Sequence, residues 1–135
     1  MPHLGILYTA NLDRETDMSA LCRTMADTML AQRDDTGKQV FPTGGVRVLA
    51  YPAAHSAVAD GKGDYGFVYL NLRIARGRSA ALQKHMGDAL TAAVGAHFAT
   101  LLAQKPLGIT LQIDEGHEVF DGKHSTLHPL FNKAL

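Results

Sequence analysis

DYGFVYLNLRI, residues 64–74, alternates between the two sides of an extended chain over most of its length. Four aliphatic side chains share one side: Val68, Leu70, Leu72 and Ile74. The other side receives Phe67, Tyr69, Asn71 and Arg73. A period of two residues with one wholly aliphatic side predicts a β-strand that buries one face.

The segments that follow this strand predict a helix and a second strand. Residues 75–79, ARGRS, turn the chain, and Ser79 is a good N-cap. Apolar side chains then recur at helical spacing over about six turns, until Pro106 ends the pattern. They are Leu82, Met86, Ala89, Leu90, Ala93, Val94, His97, Phe98 and Leu101. Residues 107–115, LGITLQIDE, predict a strand with Ile109, Leu111 and Ile113 on one face.

The first half of the chain shows the same order of elements. Residues 3–9 predict a strand, Asp17 is a good N-cap, and residues 46–51 predict a second strand. The helix between them is indicated by apolar residues on one helical face, which are Met18, Leu21, Cys22, Met25 and Met29. The polar segment QRDDTGKQ, residues 32–39, predicts a loop.

These elements form two β-α-β units, the second starting about 60 residues after the first. Each unit should pair its strands in parallel with a right-handed crossover. The sequence therefore predicts one α/β domain over residues 1–135, a two-layer sandwich of a four-stranded sheet with two helices on one face. The other sheet face lacks helices, so we expect association with other subunits. The apolar tail within 117–135 suits docking on a neighbour.

Composition limits the classes of function. The chain has 13 Lys and Arg against 13 Asp and Glu, so no excess of positive charge indicates nucleic acid or an anionic membrane. No stretch approaches the about 18 apolar residues of a membrane span, and the start lacks a signal-peptide pattern. Cys22 is the only cysteine. We therefore expect a cytoplasmic protein.

A metal centre is not expected. His124 and His128 are four residues apart and could share a helical face. However, the segment HSTLHP offers no third ligand nearby, and a structural metal site needs four.

The start of the chain, MPHLGILYT, places a proline before the first strand. Proline gives a sheet no N–H and is tolerated at the first residue of a strand. If Met1 is removed, however, the ring nitrogen of Pro2 becomes a free secondary amine, which is a base. The dipeptide alone leaves both interpretations open.

The chain resembles the 5-carboxymethyl-2-hydroxymuconate isomerase family of the tautomerase superfamily. Six segments carry the resemblance, namely PHL at the start, FPTGGVR at 41–47, ADGKGDYGFVYLNLRI at 59–74, GRS at 77–79, the stretch from AHFATLL to QIDE, and HPLF in the tail. The resemblance is weakest at 33–40 and 51–58. The loop before Phe41 is longer here than in the family pattern, which bears on substrate preference.

The resemblance implies a tautomerase-like fold, a homotrimer, and a proton shift that converts a dienol of the dicarboxylate class into its 2-oxo isomer. It also implies a place in homoprotocatechuate breakdown, within aromatic catabolism. Pro2 would be the acid and base, and no cofactor or metal is needed. An ordinary α-amine has a pKa of about 7.7–8.0. Burial and nearby arginines would lower the pKa of the Pro2 nitrogen toward the working pH.

Arg47 and Arg78 match the arginines that the family uses for substrate carboxylates, in its FPxxGxR and GRS segments. A guanidinium holds a carboxylate through two parallel hydrogen bonds. One arginine would polarise the 2-oxo end and the other would hold a remote carboxylate. Alternatively, each is an exposed, solvated arginine. Arg76 competes with Arg78 for the role, and Arg73 suits a contact with a partner.

Two further residues near the predicted site remain ambiguous. Ser79 and the helix start behind it suit an anion, but Ser79 serves equally well as a simple cap. His3 adjoins Pro2 and should point the opposite way.

Two other functions stay open. The chain could be a trimeric binding protein that has kept the fold without the chemistry, or a tautomerase for a different 2-oxo acid.

Overall fold

A computed structural model of the protein describes residues 2–131. Its four strands are β1 (His3–Thr9), β2 (Arg47–Ala53), β3 (Gly66–Ile74) and β4 (Leu107–Glu115), and its helices are α1 (Met18–Leu30), α2 (Ala80–His97) and α3 (Ala99–Gln104). Three short 3₁₀ turns span Ala10–Arg14, Thr43–Gly45 and His128–Phe131. Met1 and residues 132–135, the end of the predicted docking tail, lie outside the described residues.

The four strands form one sheet in the order β2-β1-β3-β4. β1 pairs with β2 in parallel, and β3 pairs with β4 in parallel. The two units join in the middle of the sheet, where β1 and β3 are antiparallel. This arrangement confirms the predicted pair of β-α-β units.

The core lies between the sheet and the helices. β1 contributes Leu4 and Ile6, and all four aliphatic side chains of β3 that share one side are fully buried. Leu21, Met25 and Met29 of α1 and Met86, Leu90 and Val94 of α2 close the other side of this layer. The apolar residues that repeat every 3.6 positions in the helices therefore pack against those that repeat every two positions in the strands, in one cluster.

Both predicted helix caps are present. The Asp17 carboxylate accepts a hydrogen bond from the Ala20 amide at 3.0 Å, and the Ser79 hydroxyl accepts one from the Leu82 amide at 3.1 Å. These bonds satisfy amides that have no partner inside the first helical turn.

The second helix differs from the prediction of one continuous helix. The chain leaves helical geometry at Phe98, with φ −96° and ψ 9°, and resumes as α3. The Phe98 ring is fully buried at this break, and the ring of His97 lies edge-on to it at a centroid distance of 4.8 Å. Core packing around Phe98 accompanies the local change in backbone geometry. Pro106 follows the end of α3, as predicted.

The other face of the sheet has no helix over it within residues 2–131. Its side chains over β1, β2 and the start of β3 are apolar and substantially exposed, and they are Leu7, Leu49, Tyr51 and Phe67. Towards β4 the face is polar: the Tyr69 hydroxyl donates to Gln112 at 2.7 Å, and Asn71 donates to Asp114 at 2.7 Å. We call this side of the sheet the open face.

The tail after β4 packs partly on its own chain. The Gly116 amide continues the sheet by donating to the Ile74 carbonyl at 2.9 Å. The turn His128–Phe131 then rests against the turn Thr43–Gly45. Between these two points Val119 and Phe120 are exposed apolar residues. Within the described part of the chain, no helix is long and apolar enough to span a bilayer.

Candidate active site

One end of the sheet brings the sequence-predicted residues into the same region. β1 and β2 begin at this end, whereas β3 and β4 finish there, because the two units are antiparallel. Pro2 precedes β1, Arg47 is the first residue of β2, and Arg78 follows β3 in the turn before α2. The Pro2 carbonyl accepts a hydrogen bond from the Arg47 amide at 3.3 Å.

Pro2 is buried, while its neighbour His3 is exposed. The alternation of side chains in β1 therefore turns these two residues in opposite directions, as predicted. Buried surroundings disfavour a charged amine, which is the environment that a neutral base at this position would need.

Arg47 lies half-buried in a cleft of about 500 Å³. Its Nη1 donates to the carbonyls of Gly44 and Val46 within its own turn. These contacts satisfy part of the donor fork of the guanidinium, which carries five N–H groups in total. His3 lines the same cleft from the neighbouring strand, since His3 and Arg47 are register partners.

Charge around His3 is positive on balance. Although His3 is exposed overall, the covered part of its surface lowers the pKa of the imidazole, and the positive N-terminus, Arg47 and Arg73 lower it further, while Asp121 acts in the opposite sense. The imidazole is therefore held towards its neutral form beside Arg47. The sequence interpretation gave His3 little weight, and the structure places it in the wall of the Arg47 cleft.

Arg78 occupies a second cleft of about 470 Å³ with Lys38, Phe41 and the backbone of Val40. Its Nη2 donates to the Val40 carbonyl at 3.1 Å. Its Nε is buried and has no hydrogen-bond partner among the residues that the structure describes. A buried donor without a partner costs free energy, and a carboxylate would satisfy it.

The two arginine clefts adjoin and remain separate in the single chain. Gly45 lines the first cleft, and the segment from Val40 to Thr43 lines the second. The long loop before Phe41 thus borders Arg78, since Lys38 belongs to that cleft.

The other candidates from the sequence have different roles. Arg76 is exposed. Arg73 lies on the open face, where it pairs with Glu118 at 3.4 Å. Ser79 acts as a helix cap, and the half-buried Cys22 packs against the core. His97, predicted to be a core residue, is half-buried and shares a hydrogen bond with the Thr16 hydroxyl at 2.8 Å.

One wall of the Arg47 cleft has no counterpart in the sequence predictions. Residues 121–128 cross over His3 and Arg47 and close that side. The signal that could have located them is Gly44: a Cβ there would lie 2.9 Å from the Cα of His128. No periodicity in the tail itself indicates this contact. Within residues 2–131, no group of three or more His, Cys, Asp or Glu side chains could hold a metal ion.

Comparison with known proteins identifies the family. A family model described as 5-carboxymethyl-2-hydroxymuconate isomerase matches residues 2–131. The 5-carboxymethyl-2-hydroxymuconate Delta-isomerase of Escherichia coli is 30% identical over 131 residues, covering 97% of this chain and 99% of that protein.

Solved structures agree with the family model. A crystal structure of a 5-carboxymethyl-2-hydroxymuconate delta-isomerase is 56% identical with a TM-score of 0.95, covering 100% of this chain and 95% of that one. A 5-carboxymethyl-2-hydroxymuconate isomerase from Deinococcus radiodurans R1 is 35% identical with a TM-score of 0.87, covering 98% of this chain and 95% of that one. The resemblance stated from the sequence is confirmed, and the chain belongs to the 5-carboxymethyl-2-hydroxymuconate isomerase family.

Proposed function

We propose that this protein converts 5-carboxymethyl-2-hydroxymuconate into its 2-oxo isomer, with Pro2 as acid and base and without a cofactor. The observation that carries the proposal is the gathering of Pro2, Arg47 and Arg78 at one end of the sheet in a chain of this family. The reaction would serve aromatic catabolism, in homoprotocatechuate breakdown. The cytoplasm is the compartment that we propose for it.

The reaction needs only one group that can accept and return a proton. The O–H bond at the 2-hydroxyl breaks, a C=O bond forms, the diene electrons shift, and a C–H bond forms at a carbon of the former diene. No electron is gained or lost overall, so no redox partner is required. The Pro2 nitrogen, once it is the chain terminus, has a lone pair for this transfer, and its buried position favours the neutral form.

The two arginines would bind and polarise the substrate. The buried, unpartnered Nε of Arg78 and the partly occupied guanidinium of Arg47 both have donors to offer. By its name the substrate carries three carboxylates, two from muconate and one from the carboxymethyl group. This is one more than the dicarboxylate class expected from the sequence, so two arginines leave one carboxylate to be bound.

A homotrimer is the assembly that we propose. The open face presents Leu7, Leu49, Tyr51 and Phe67 together, and exposed apolar patches of this kind mark contact surfaces. Val119 and Phe120 add apolar side chains on the tail of the same chain. In a cyclic trimer each copy contacts the other two, so the apolar surface of every copy would be buried. The assembly would also bring neighbouring chains close to the arginine clefts.

An isomerase assay on the dienol with Pro2→Ala, Arg47→Ala and Arg78→Ala tests the proposal. We expect Pro2→Ala to lower kcat/KM by about 10²–10⁴-fold, the usual contribution of a positioned acid or base. The arginine variants should raise KM, because they remove charge-assisted hydrogen bonds to the substrate. Arg76→Ala is the matched control, since Arg76 lies two residues from Arg78 and is exposed.

Mass measurement of the mature chain accompanies the assay. An active protein that begins at Met1 would contradict the role of Pro2, because an acylated proline nitrogen is not a base. Wild-type protein that turns over no dienol would favour a binding protein of the same fold. Turnover of another enol in preference to this one would assign the same chemistry to a different 2-oxo acid.

A further inference from the structure

Residues 121–128 form one wall of the Arg47 cleft, and the proposed reaction assigns no role to their side chains. Seven of its side chains and those of His3 and Arg47 surround about 500 Å³ of space, and most of the polar side chains are cationic or imidazole. Asp121 is the one carboxylate among the lining residues, and Lys123 pairs with it at 2.6 Å. Besides the hydroxyls of Ser125 and Thr126, the remaining side chains of the wall that can donate to an anion are the imidazoles of His124 and His128.

His128 is fixed beside Arg47 through a shared contact with Gly44. The Arg47 Nη1 donates to the Gly44 carbonyl. On the other side of Gly44, a Cβ would lie 2.9 Å from the His128 Cα and 3.2 Å from the His128 nitrogen. Because Gly44 has no side chain, the backbone that carries His128 sits directly on the turn that holds the guanidinium.

The hydrogen bonds of Ser125 bear on which nitrogen of His128 carries the proton. The Ser125 hydroxyl oxygen accepts from the amides of Leu127 at 3.1 Å and His128 at 3.4 Å. The same oxygen lies 3.1 Å from the Nδ1 of His128. When the two amides occupy the lone pairs of this oxygen, its hydrogen is the group left to bond Nδ1, and the hydroxyl is then the donor. In the neutral imidazole the ring hydrogen is then on Nε2, which becomes a donor.

We infer that His128 is a substrate-binding residue, and that its Nε2–H donates to a substrate carboxylate next to the one that Arg47 binds. The inference rests on the proposed function. Two of the three substrate carboxylates are neighbours, since the carbon that bears the carboxymethyl arm also bears a carboxylate of muconate. Arg47 and His128 lie side by side and suit this pair. Arg78, in the separate cleft, would take the carboxylate at the 2-hydroxy end.

The test compares two substrates that differ only in the arm, 5-carboxymethyl-2-hydroxymuconate and 2-hydroxymuconate. His128→Ala should raise KM for the substrate with the arm by about 10–100-fold, the range for a hydrogen bond to a charged group. With 2-hydroxymuconate, KM should stay close to that of the wild type. His128→Gln keeps an N–H donor of similar reach and should restore much of the lost affinity.

His124→Ala is the matched control, because His124 is of the same type, lines the same cleft and lies four residues away. It should affect the two substrates equally. Thermal unfolding of each variant, compared with the wild type, reports whether the tail is still packed.

Equal KM changes for both substrates in His128→Ala, or none, would overturn the inference, as would a selective effect of His124→Ala alone. Turnover of 5-carboxymethyl-2-hydroxymuconate by the wild type reports the proposed function separately. If the wild type turns over both substrates and His128→Ala does not distinguish them, only the role of His128 fails. If the wild type turns over neither, the proposed function fails and the role of His128 fails with it.

Discussion

The two faces of the sheet are built from alternate residues of the same strands, yet they differ in almost every physical property. On the helix-covered face, the β3 side chains from Val68 to Ile74 are 0% exposed and pack into one cluster with α1 and α2. On the open face, Leu49 is 54% and Leu7 49% exposed. The covered face contains a completed core. The open face carries apolar groups that the single chain leaves in water.

This difference separates the stability of the single chain from that of the proposed assembly. The covered face supports the fold of one chain, because burying aliphatic groups is the main favourable term in folding. In the proposed trimer the open face would support contacts between chains, since its exposed apolar side chains gain nothing until another surface covers them. A substitution on one face should therefore change a different measurement from a substitution on the other.

The largest effect on folding is expected at Leu70, which is fully buried opposite Ile6 in β1. Leu70→Ala should lower the free energy of unfolding by about 2–5 kcal/mol, through lost burial and the cavity that remains. Denaturant unfolding at low protein concentration, where chains are dissociated, measures it. Leu49→Ala, on the open face, is the control and should cost much less under the same conditions. Equal losses would contradict the distinction between the faces.

An intermediate effect is expected when the open face receives a charge. Leu49→Lys should weaken association between chains, because a lysine buried against another chain must lose its water. Sedimentation should show the particle mass falling from three chains towards one, while circular dichroism keeps the spectrum of the folded chain. Ser56→Lys, in the exposed loop after β2, provides a control for added charge. An unchanged mass in Leu49→Lys would place the contact surface elsewhere.

The smallest effect concerns His97, between the helices of the covered layer. Burial lowers the pKa of His97, so the unfolded chain binds a proton more readily than the folded one. The free energy of unfolding should therefore decrease as the pH falls from about 6.5, the pKa of an unperturbed histidine, to the lower pKa of His97 in the folded chain. His97→Gln should flatten this slope, and only in part, because burial also lowers the pKa of His3. If the free energy of unfolding depends on pH equally in the wild type and the variant, His97 does not contribute to that dependence.

The sequence was sufficient for the elements whose side chains repeat regularly. The alternation in β3 and the stripe in α1 each follow from one buried face, and the caps at Asp17 and Ser79 are local hydrogen bonds. The break at Phe98 was missed because no glycine or proline stands there, and what marks the residue is a fully buried ring packed edge-on against His97. The helix propensity of the local sequence does not depend on such a contact.

The site was predictable only in part. Pro2, Arg47 and Arg78 follow from the family resemblance, and the strand order explains why they lie at one end of the sheet. The wall that contains His128 depends on a contact between residues far apart in the chain, where Gly44 allows two backbones to touch. A single sequence shows the glycine but does not show what rests on it.

The burial of Pro2 at the start of a central strand has a consequence for the order of events during synthesis. β1 is the first strand to leave the ribosome and has neighbours on both sides, and β3 is the later of the two. At translation rates of about 5–20 residues per second, β1 waits on the order of several seconds for that neighbour. The proposed role of Pro2 requires removal of Met1, and an enzyme that removes it would have its easiest access in this interval, before pairing encloses the start of the chain.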